Sequence, residues 1–186
     1  HDALPIFDML SNGTIDGFIL SISKEAQKLQ QFDHLKAIIN DGTPMVMFDR
    51  IADEVICDKV IVDDYESAIN ATNHLIDTGC KNIAMFSTIK QLSVSNLRAQ
   101  GFYKAFEQKG LKVNENLIIL TDNIEEFDAK INAFFDENKV DGVFALDEHT
   151  AVTAMKIGLR NGVKIPEELS IIGFADGVWS RRMTPS

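Results

Sequence analysis

Short apolar runs alternate with longer amphipathic segments along almost the whole of this 186-residue chain. Residues 162–176, GVKIPEELSIIGFAD, contain one unit of that alternation. Gly162 can end a helix, Pro166 cannot continue one, and the apolar run at 169–174 is typical of a strand covered on both faces. Because strands separated by helices of this length pair in parallel, the pattern predicts a doubly wound α/β fold.

The spacing of apolar residues gives approximate bounds for each element. It predicts strands at 17–21, 45–48, 59–62, 82–86, 117–120, 141–146 and 169–174. It predicts helices at 3–12, 27–40, 95–109, 124–137 and 148–161, and one more that is capped by Asp63 or Asp64 and ends at Gly79.

Two passages of similar sequence, TIDGFIL at 14–20 and KVDGVFA at 139–145, each open a predicted strand and suggest two lobes built on one plan. We expect residues 1–61 to form an incomplete first lobe, with at least one strand and one helix missing before His1. Residues 62–180 are predicted to form the second lobe. Residues 181–186 are predicted to begin the crossing back to the first.

Charge and motifs limit the possible functions. A net charge of −10 disfavours nucleic-acid binding by this surface, because neutralising phosphates requires clustered Lys and Arg. Cys57 and Cys80 are far apart and form no metal-ligand pattern, so we predict reduced, structural thiols, no metal and no cofactor. No apolar run is long enough to span a membrane, and we expect no membrane partner.

Recognisable enzyme signatures are absent from the sequence. It contains no GxGxxG, GxxxxGK[ST], GxSxG or HExxH motif. One catalytic alternative is that Asp49 and Asp147 act as a general acid and base across a cleft. Because no nucleophile or metal motif accompanies these two carboxylates, we expect a protein that is not an enzyme.

Polar residues follow several predicted strands, where binding sites of parallel sheets gather. These residues are Asp49, Ser87, Thr88, Asp122, Asp147 and Asp176. The alternative for each Asp or Ser is an ordinary helix cap. Asp147 is the strongest binding candidate, since it follows a fully apolar strand and precedes Glu148. Asp176 precedes Gly177 and fits a turn better.

Arg98 is the basic residue of greatest interest. We expect it in the first turn of a helix, where the helix dipole disfavours a cation, so a functional role would account for its position. Its guanidinium can present a planar fork of donors to sugar hydroxyls, a carboxylate or a phosphate. The alternative is a solvated arginine paired with Asp122 or another surface acid.

Seven passages carry a family resemblance in one consistent order. They are IDGFILS at 15–21, TPMVMFDR at 43–50, VIVDDYESAINATNHLIDTGCKNIAMFS at 60–87, SNLRAQGFYKAF at 95–106, VDGVFALDEHTAVTAMK at 140–156, IPEELSIIGFAD at 165–176 and TPS at 184–186. Together they span nearly the whole chain. The sequence resembles the effector-binding domain of the lactose repressor and galactose repressor family of bacterial transcription regulators.

The resemblance implies a fold of periplasmic-binding-protein type, in which two α/β lobes close on a ligand. It implies that Arg98 and Asp147 bind the effector from the second lobe, and that Asp49, helped by Arg50, binds it from the first. Residues matching the loop that lines the cleft are Phe86, Ser87 and Thr88. Asp122, Asn123 and Asp176 complete the candidate set. In this family an aromatic ring often follows the strand that ends near Leu120, where this sequence has Thr121-Asp122-Asn123-Ile124.

The same resemblance implies a cytoplasmic bacterial repressor. Its effector would be a sugar or sugar derivative, the protein would form a homodimer, and it would contact operator DNA through a helix-turn-helix absent from these 186 residues. Ligand-induced closure of the lobes would reposition the DNA-binding heads. Two alternatives remain open at this stage, a periplasmic sugar-binding protein that serves a transporter and a sugar-processing enzyme.

Overall fold

The computed structural model describes residues 15–174 and 177–185. The chain forms two compact units, His1–Val62 and Asp63–Ser186. The helix predicted at 3–12, Asp176 and Ser186 lie outside the described residues. All strands in the described ranges pair in parallel, which confirms the α/β class predicted from the alternation of strands and helices.

The first unit has a three-stranded parallel sheet with the strand order β1-β2-β3. The strands are β1 (Phe18–Leu20), β2 (Met45–Phe48) and β3 (Asp58–Val60), and the helices are α1 (Lys24–Leu29) and α2 (Asp33–Asn40). One core cluster joins them, formed by Ile22, Phe32, Leu35, Ile38, Met45, Met47, Ala52 and Val55. Helix and sheet therefore share a single apolar core in this unit.

The single helix predicted at 27–40 is wrong, because the chain breaks there into α1 and α2. Ser23 caps α1 by accepting a hydrogen bond from the Ala26 amide at 3.0 Å, so the first helix starts earlier than expected. Gln30 then adopts a left-handed conformation with φ of 51° and ends α1. Glutamine rarely takes this conformation, so the sequence carried no signal for the break.

The second unit has a four-stranded parallel sheet with the strand order β5-β4-β6-β7. The strands are β4 (Ile83–Ser87), β5 (Ile118–Leu120), β6 (Gly142–Ala145) and β7 (Ser170–Gly173). The helices are α3 (Asp64–Asp77), α4 (Ser93–Gln108), α5 (Ile124–Glu137) and α6 (Glu148–Arg160). The predicted bounds of these elements agree to within about two residues, and two short 3-10 helices lie at Glu115–Leu117 and Ser180–Arg182.

Alternate residues of the central strands enter two separate cores, one on each face of this sheet. On β4, Ala84 and Phe86 belong to the cluster that α5 and α6 cover, and Ile83 and Met85 belong to the cluster that α3 and α4 cover. A strand that is apolar on both faces, as predicted, therefore separates two helix layers.

The order of the strands locates the place where this sheet can bind a ligand. Helix α4 follows β4 and packs on one face through Phe102 and Phe106, whereas α6 follows β6 and packs on the other through Ala154 and Ile157. Because β4 and β6 are neighbours and their following helices lie on opposite faces, their carboxyl ends form a topological switch point, the position of the ligand-binding crevice in open α/β sheets. Among the described helices, none has the length and apolar character needed to span a bilayer.

Candidate functional site

The crevice at the carboxyl ends of β4 and β6 brings Thr88 and Asp147 together. The Thr88 amide donates to Oδ2 of Asp147 at 2.7 Å, and the Thr88 hydroxyl donates to Oδ1 at 3.1 Å. Oδ1 also accepts from the Thr150 amide at 3.0 Å, so Asp147 caps α6. The Asp147 carboxylate thus joins the residue after β4 to the first turn of α6.

Phe86 and Ser87, which the resemblance matches to the loop lining the cleft, belong to β4 and are fully buried. The Phe86 ring packs edge-on against Phe127 and Phe134, with centroids at 5.7 and 5.2 Å. The Ser87 hydroxyl lies 3.0 Å from that of Ser95 and accepts from the Ile89 amide at 3.1 Å. These two side chains support the site from beneath, and Thr88 is the residue of the three that lies at the loop.

Arg98 is held in place by three different kinds of contact. Its Nε donates to Oδ1 of Asp64 at 2.7 Å, and its Nη1 donates to the carbonyl of Leu146 at 2.6 Å. Its guanidinium carbon lies 4.0 Å from the centre of the Phe174 ring, a cation–π distance. Because Leu146 directly follows β6, these contacts place the guanidinium at the carboxyl edge of the sheet.

The expected environment of Arg98 needs two corrections. Helix α4 starts at Ser93 instead of near Ser95, so Arg98 lies in the second turn, where the helix dipole disfavours a cation less. Its acidic partner is Asp64 rather than Asp122, because the first turn of α3 packs beside α4. The exposed fractions of the two paired side chains are 15% for Arg98 and 6% for Asp64, so this is not a solvated surface pair.

Asp64 and Phe174 are site residues that the sequence analysis missed. Asp63 caps α3 by accepting from the Glu66 amide at 3.0 Å, so the second aspartate is not needed as a cap. The sequence feature that could have identified Asp64 was therefore the consecutive pair Asp63-Asp64. One of these carboxylates caps the helix, and the other is free for another role. Phe174 ended a predicted strand, and nothing local indicated that a cation would lie against its ring.

The loop after β5 contributes polar side chains that are engaged with the backbone. Oδ1 of Asp122 accepts from the Gln91 amide at 2.9 Å, and Oδ1 of Asn123 accepts from the Glu126 amide at 3.1 Å, which caps α5. A hydrogen bond from Lys130, followed by one from Thr121, holds the pKa of Glu126 below its usual value. These contacts fix the loop at the carboxyl edge of β5.

In the first unit, Asp49 and Arg50 follow β2. Asp49 has φ of 59°, a left-handed conformation that is uncommon for a residue other than glycine, and its amide donates to the Val60 carbonyl at 3.2 Å. Arg50 donates from Nε to the Ile22 carbonyl at 2.7 Å and pairs with Asp49 at 3.3 Å. The Asp49 side chain is 51% exposed and points its carboxylate to solvent beside Arg50.

Metal chemistry finds no support in the described part of the chain. Residues 15–174 and 177–185 contain no group of three or more His, Cys, Asp or Glu side chains arranged to hold a metal ion. Cys57 and Cys80 are both free thiols.

Comparison with known proteins identifies the family of this chain. Residues 72–186 match the family described as periplasmic binding protein-like domain. The chain is 27% identical over 180 residues to the HTH-type transcriptional regulator DegA of Bacillus subtilis, covering 96% of this chain and 53% of DegA. Thus the chain spans about half of the length of this relative.

Two solved structures have a similar fold. One is a regulatory protein of LacI family from Chloroflexus aggregans, with a TM-score of 0.81 and 24% identity over 98% of this chain and 65% of that one. The other is the transcriptional regulator CelR-cellobiose complex, with a TM-score of 0.76 and 22% identity over 97% and 55% of the two chains. The family match covers more than half of the sequence and confirms the resemblance drawn from its motifs. This chain belongs to the periplasmic binding protein-like domain family.

Proposed function

We propose that this chain is the ligand-sensing domain of a bacterial transcriptional repressor and that its effector is a sugar or a related small molecule. The observation that carries the proposal is the anchored guanidinium of Arg98 at the crevice between β4 and β6. A preorganised donor at the carboxyl edge of a parallel sheet is what such a ligand site requires. Thr88 and Asp147 lie at the same edge and are its proposed companions.

The contacts of Arg98 leave donors available to a ligand. Asp64 takes Nε and Leu146 takes one hydrogen of Nη1, so three of the five guanidinium hydrogens are not used by these two partners. Because the Phe174 ring lies against one face, a ligand meets the guanidinium at its edge or its other face. Neighbouring hydroxyls of a sugar suit that fork of donors. CelR, a structural relative, is known in a complex with cellobiose.

The other candidate residues have different proposed roles. Asp147 holds Thr88 and caps α6, and its carboxylate can still accept a further hydrogen bond from a ligand hydroxyl. Asp49 and Arg50 are the proposed effector contacts of the first unit. Asp122 and Asn123 have structural hydrogen bonds, and we assign them to supporting the loop. Asp176 is a proposed turn residue.

Regulation is proposed to depend on parts of the protein outside this chain. DegA is an HTH-type regulator almost twice as long as the matched region, which supports a DNA-binding segment elsewhere in the parent protein. We propose that this segment contacts operator DNA, that the protein is a homodimer and that it works in the bacterial cytoplasm. A ligand that binds one arrangement of the domain better than another would shift the population and so change DNA affinity.

A transport protein and an enzyme are the competing proposals. Similarity to a transcriptional regulator over 96% of this chain favours a regulator over a periplasmic sugar-binding protein. An enzyme is disfavoured by the engagement of the Asp147 carboxylate with Thr88 and Thr150, which supports a structural and binding role over that of a general acid or base. We therefore propose that the domain binds its ligand without converting it.

Substitution of Arg98 tests the proposed site. We expect a panel of sugars and nucleosides to contain ligands that raise the melting temperature of this chain, with affinities measured by calorimetry. Arg98→Ala should weaken binding about 10- to 100-fold, the range for losing charge-assisted hydrogen bonds. Arg160→Ala is the matched control, because Arg160 lies in the last turn of α6, away from the carboxyl ends of the strands, and donates a hydrogen bond to Asn132.

Two results would contradict the proposal. Equal binding by the Arg98→Ala and wild-type chains would remove Arg98 from the site, and chemical conversion of a bound panel member would indicate an enzyme. Asp147→Asn and Asp49→Ala then test the remaining contacts. The Asn variant keeps the side-chain oxygen that caps α6, so a loss of affinity without a loss of melting temperature would assign Asp147 to ligand binding.

A further inference from the structure

The charge of Arg98 is already balanced within the second unit. Its guanidinium forms an ion pair of 2.7 Å with Asp64, and both side chains are largely buried. A second carboxylate, that of Asp147, lies at the same edge of the sheet. Asp147 directly follows Leu146, whose carbonyl accepts a hydrogen bond from Arg98. This edge of the sheet thus has two carboxylates, Asp64 and Asp147, near the single guanidinium of Arg98.

Asp64 is held in this position by the packing of α3 against α4. Asp63 supplies the helix cap, which leaves the Asp64 carboxylate to point towards α4. Gly101, three residues beyond Arg98 on α4, lets the two helices approach closely, since a Cβ at this position would lie 2.5 Å from the Tyr65 carbonyl oxygen. Asp64 is 5% exposed, so water screens its interaction with Arg98 weakly.

The consequence concerns which ligands the site accepts. An isolated arginine attracts anions, but an arginine paired with a buried carboxylate offers hydrogen-bond donors with little net attraction for negative charge. An incoming phosphate at the remaining donors of Arg98 would also meet the fields of Asp64 and Asp147. A neutral hydroxyl avoids that repulsion and keeps the hydrogen bonds.

We propose that Asp64 determines the charge class of the effector, so that the site selects an uncharged, hydroxyl-bearing ligand over an anionic one such as a sugar phosphate. This inference deepens the proposed function and rests on Arg98 contacting the effector. Asp64 acts through Arg98 and is a specificity-determining residue that need not touch the ligand itself.

The test measures the binding of inorganic phosphate to this chain at low ionic strength, by calorimetry and by the change in melting temperature. We expect Asp64→Asn to bind phosphate at least about tenfold more tightly than the wild-type chain, because the substitution removes one negative charge next to Arg98 and preserves the shape of the side chain. The gain should disappear in Asp64→Asn/Arg98→Ala and should decrease as salt is added.

Asp63→Asn is the matched control. It removes the same charge from the neighbouring residue and keeps a good helix cap, but it does not touch Arg98. Its phosphate affinity should remain that of the wild-type chain. An equal gain in both variants would show a general charge effect and would overturn the assignment to Asp64, as would the absence of any gain in Asp64→Asn.

A second arm needs no substitution and covers the case in which Asp64→Asn does not fold. Wild-type protein is titrated with matched pairs of neutral sugars or nucleosides and their phosphorylated forms. We expect the neutral member to bind more tightly, and tighter binding of the phosphorylated member, or of free phosphate, would overturn the proposal. If Arg98→Ala binds every panel member as tightly as the wild-type chain does, the proposed function fails. If the phosphorylated ligands bind more tightly than the neutral ones and binding still depends on Arg98, only the role proposed for Asp64 is contradicted.

Discussion

Tyr103 shows how a single contact changes the chemistry of a side chain. It lies on α4, and its hydroxyl donates to Oε2 of Glu115 at 3.0 Å. Burial, then the hydrogen bond to Glu115 and the negative charge of that carboxylate, raises the pKa of Tyr103 to about 12 from 10.0. Since the folded state retains the phenol proton more strongly, its contribution to stability is complete below about pH 10 and is lost as the pH rises towards 12.

We predict that Glu115→Gln lowers the pKa of Tyr103 towards its ordinary value. The measurement is the ultraviolet absorbance of tyrosinate during an alkaline titration. The chain contains two tyrosines, so the experiment uses a Tyr65→Phe background in which Tyr103 alone titrates. Glu107→Gln is the control, since Glu107 pairs with Lys104 on the same helix. A Tyr103 pKa that responds equally to both substitutions would contradict the specific contact.

Residue type and position in the sequence predicted several of the candidate residues, but they did not predict the direction in which each side chain points. Strand-end reasoning identified Thr88 and Asp147, and the expected place of Arg98 at the start of a helix singled out that residue; all three lie at the carboxyl edge of the second sheet. It did not indicate which helix layer the Phe86 ring packs against, because β4 is apolar on both faces. The partner of Arg98 lies 34 positions away on α3, so local spacing did not predict the pairing, although the Asp63-Asp64 pair offered a carboxylate beyond the one needed as a helix cap.

The pairing of α3 and α4 depends on a glycine inside a helix. A Cβ at Gly101 would lie 2.5 Å from the Tyr65 carbonyl oxygen and 2.7 Å from the Ala68 Cβ, so backbone would have to move. We predict that Gly101→Ala destabilises the second unit by about 1–3 kcal/mol, even though alanine is the better helix former. The measurement is chemical denaturation followed by circular dichroism.

Gly158→Ala provides the matched control on α6. A Cβ there would meet the ends of the Leu169 and Ile165 side chains at 3.1 and 3.2 Å, and such side chains can shift. We expect this variant to stay within about 1 kcal/mol of the wild-type chain, because the gain in helix propensity offsets the tighter packing. A similar loss of unfolding free energy in the two variants would contradict a specific requirement for glycine where α3 and α4 approach each other.

Elements with a strong apolar period were predicted well, and the exception has a physical explanation. Helices at 124–137 and 148–161 and the strand at 45–48 agree closely with α5, α6 and β2. Helix 27–40 was predicted from the spacing of Phe32, Leu35, Ile38 and Ile39, which all lie in α2 or next to it, so the pattern did not cover residues 27–31. At the left-handed Gln30 the amides of residues 30 and 31 donate to the carbonyls of Gln27 and Ala26, which ends α1, and Phe32 then enters the core of the first unit.

The charge of the whole chain predicts how it behaves towards DNA. With a net charge of −10, we expect it to bind a random-sequence duplex with a dissociation constant weaker than about 10⁻⁴ M at physiological salt. Fluorescence anisotropy with labelled DNA measures this, and full-length DegA serves as the positive control. Tighter binding that decreases with added salt would indicate a basic surface and contradict the proposed location of DNA contacts outside this chain.

The amino-acid sequence by itself determined the α/β class, the parallel pairing and the family, because these depend on apolar period, turn residues and motif order, all of which are local in the chain. It also identified Arg98 as the basic residue to examine. Only the tertiary structure decided that Arg98 pairs with Asp64, lies against Phe174 and bonds the Leu146 carbonyl. Those contacts join Arg98 to residues 34 and 48 positions away and to Phe174 just after β7, and they exist because the helices and strands pack together.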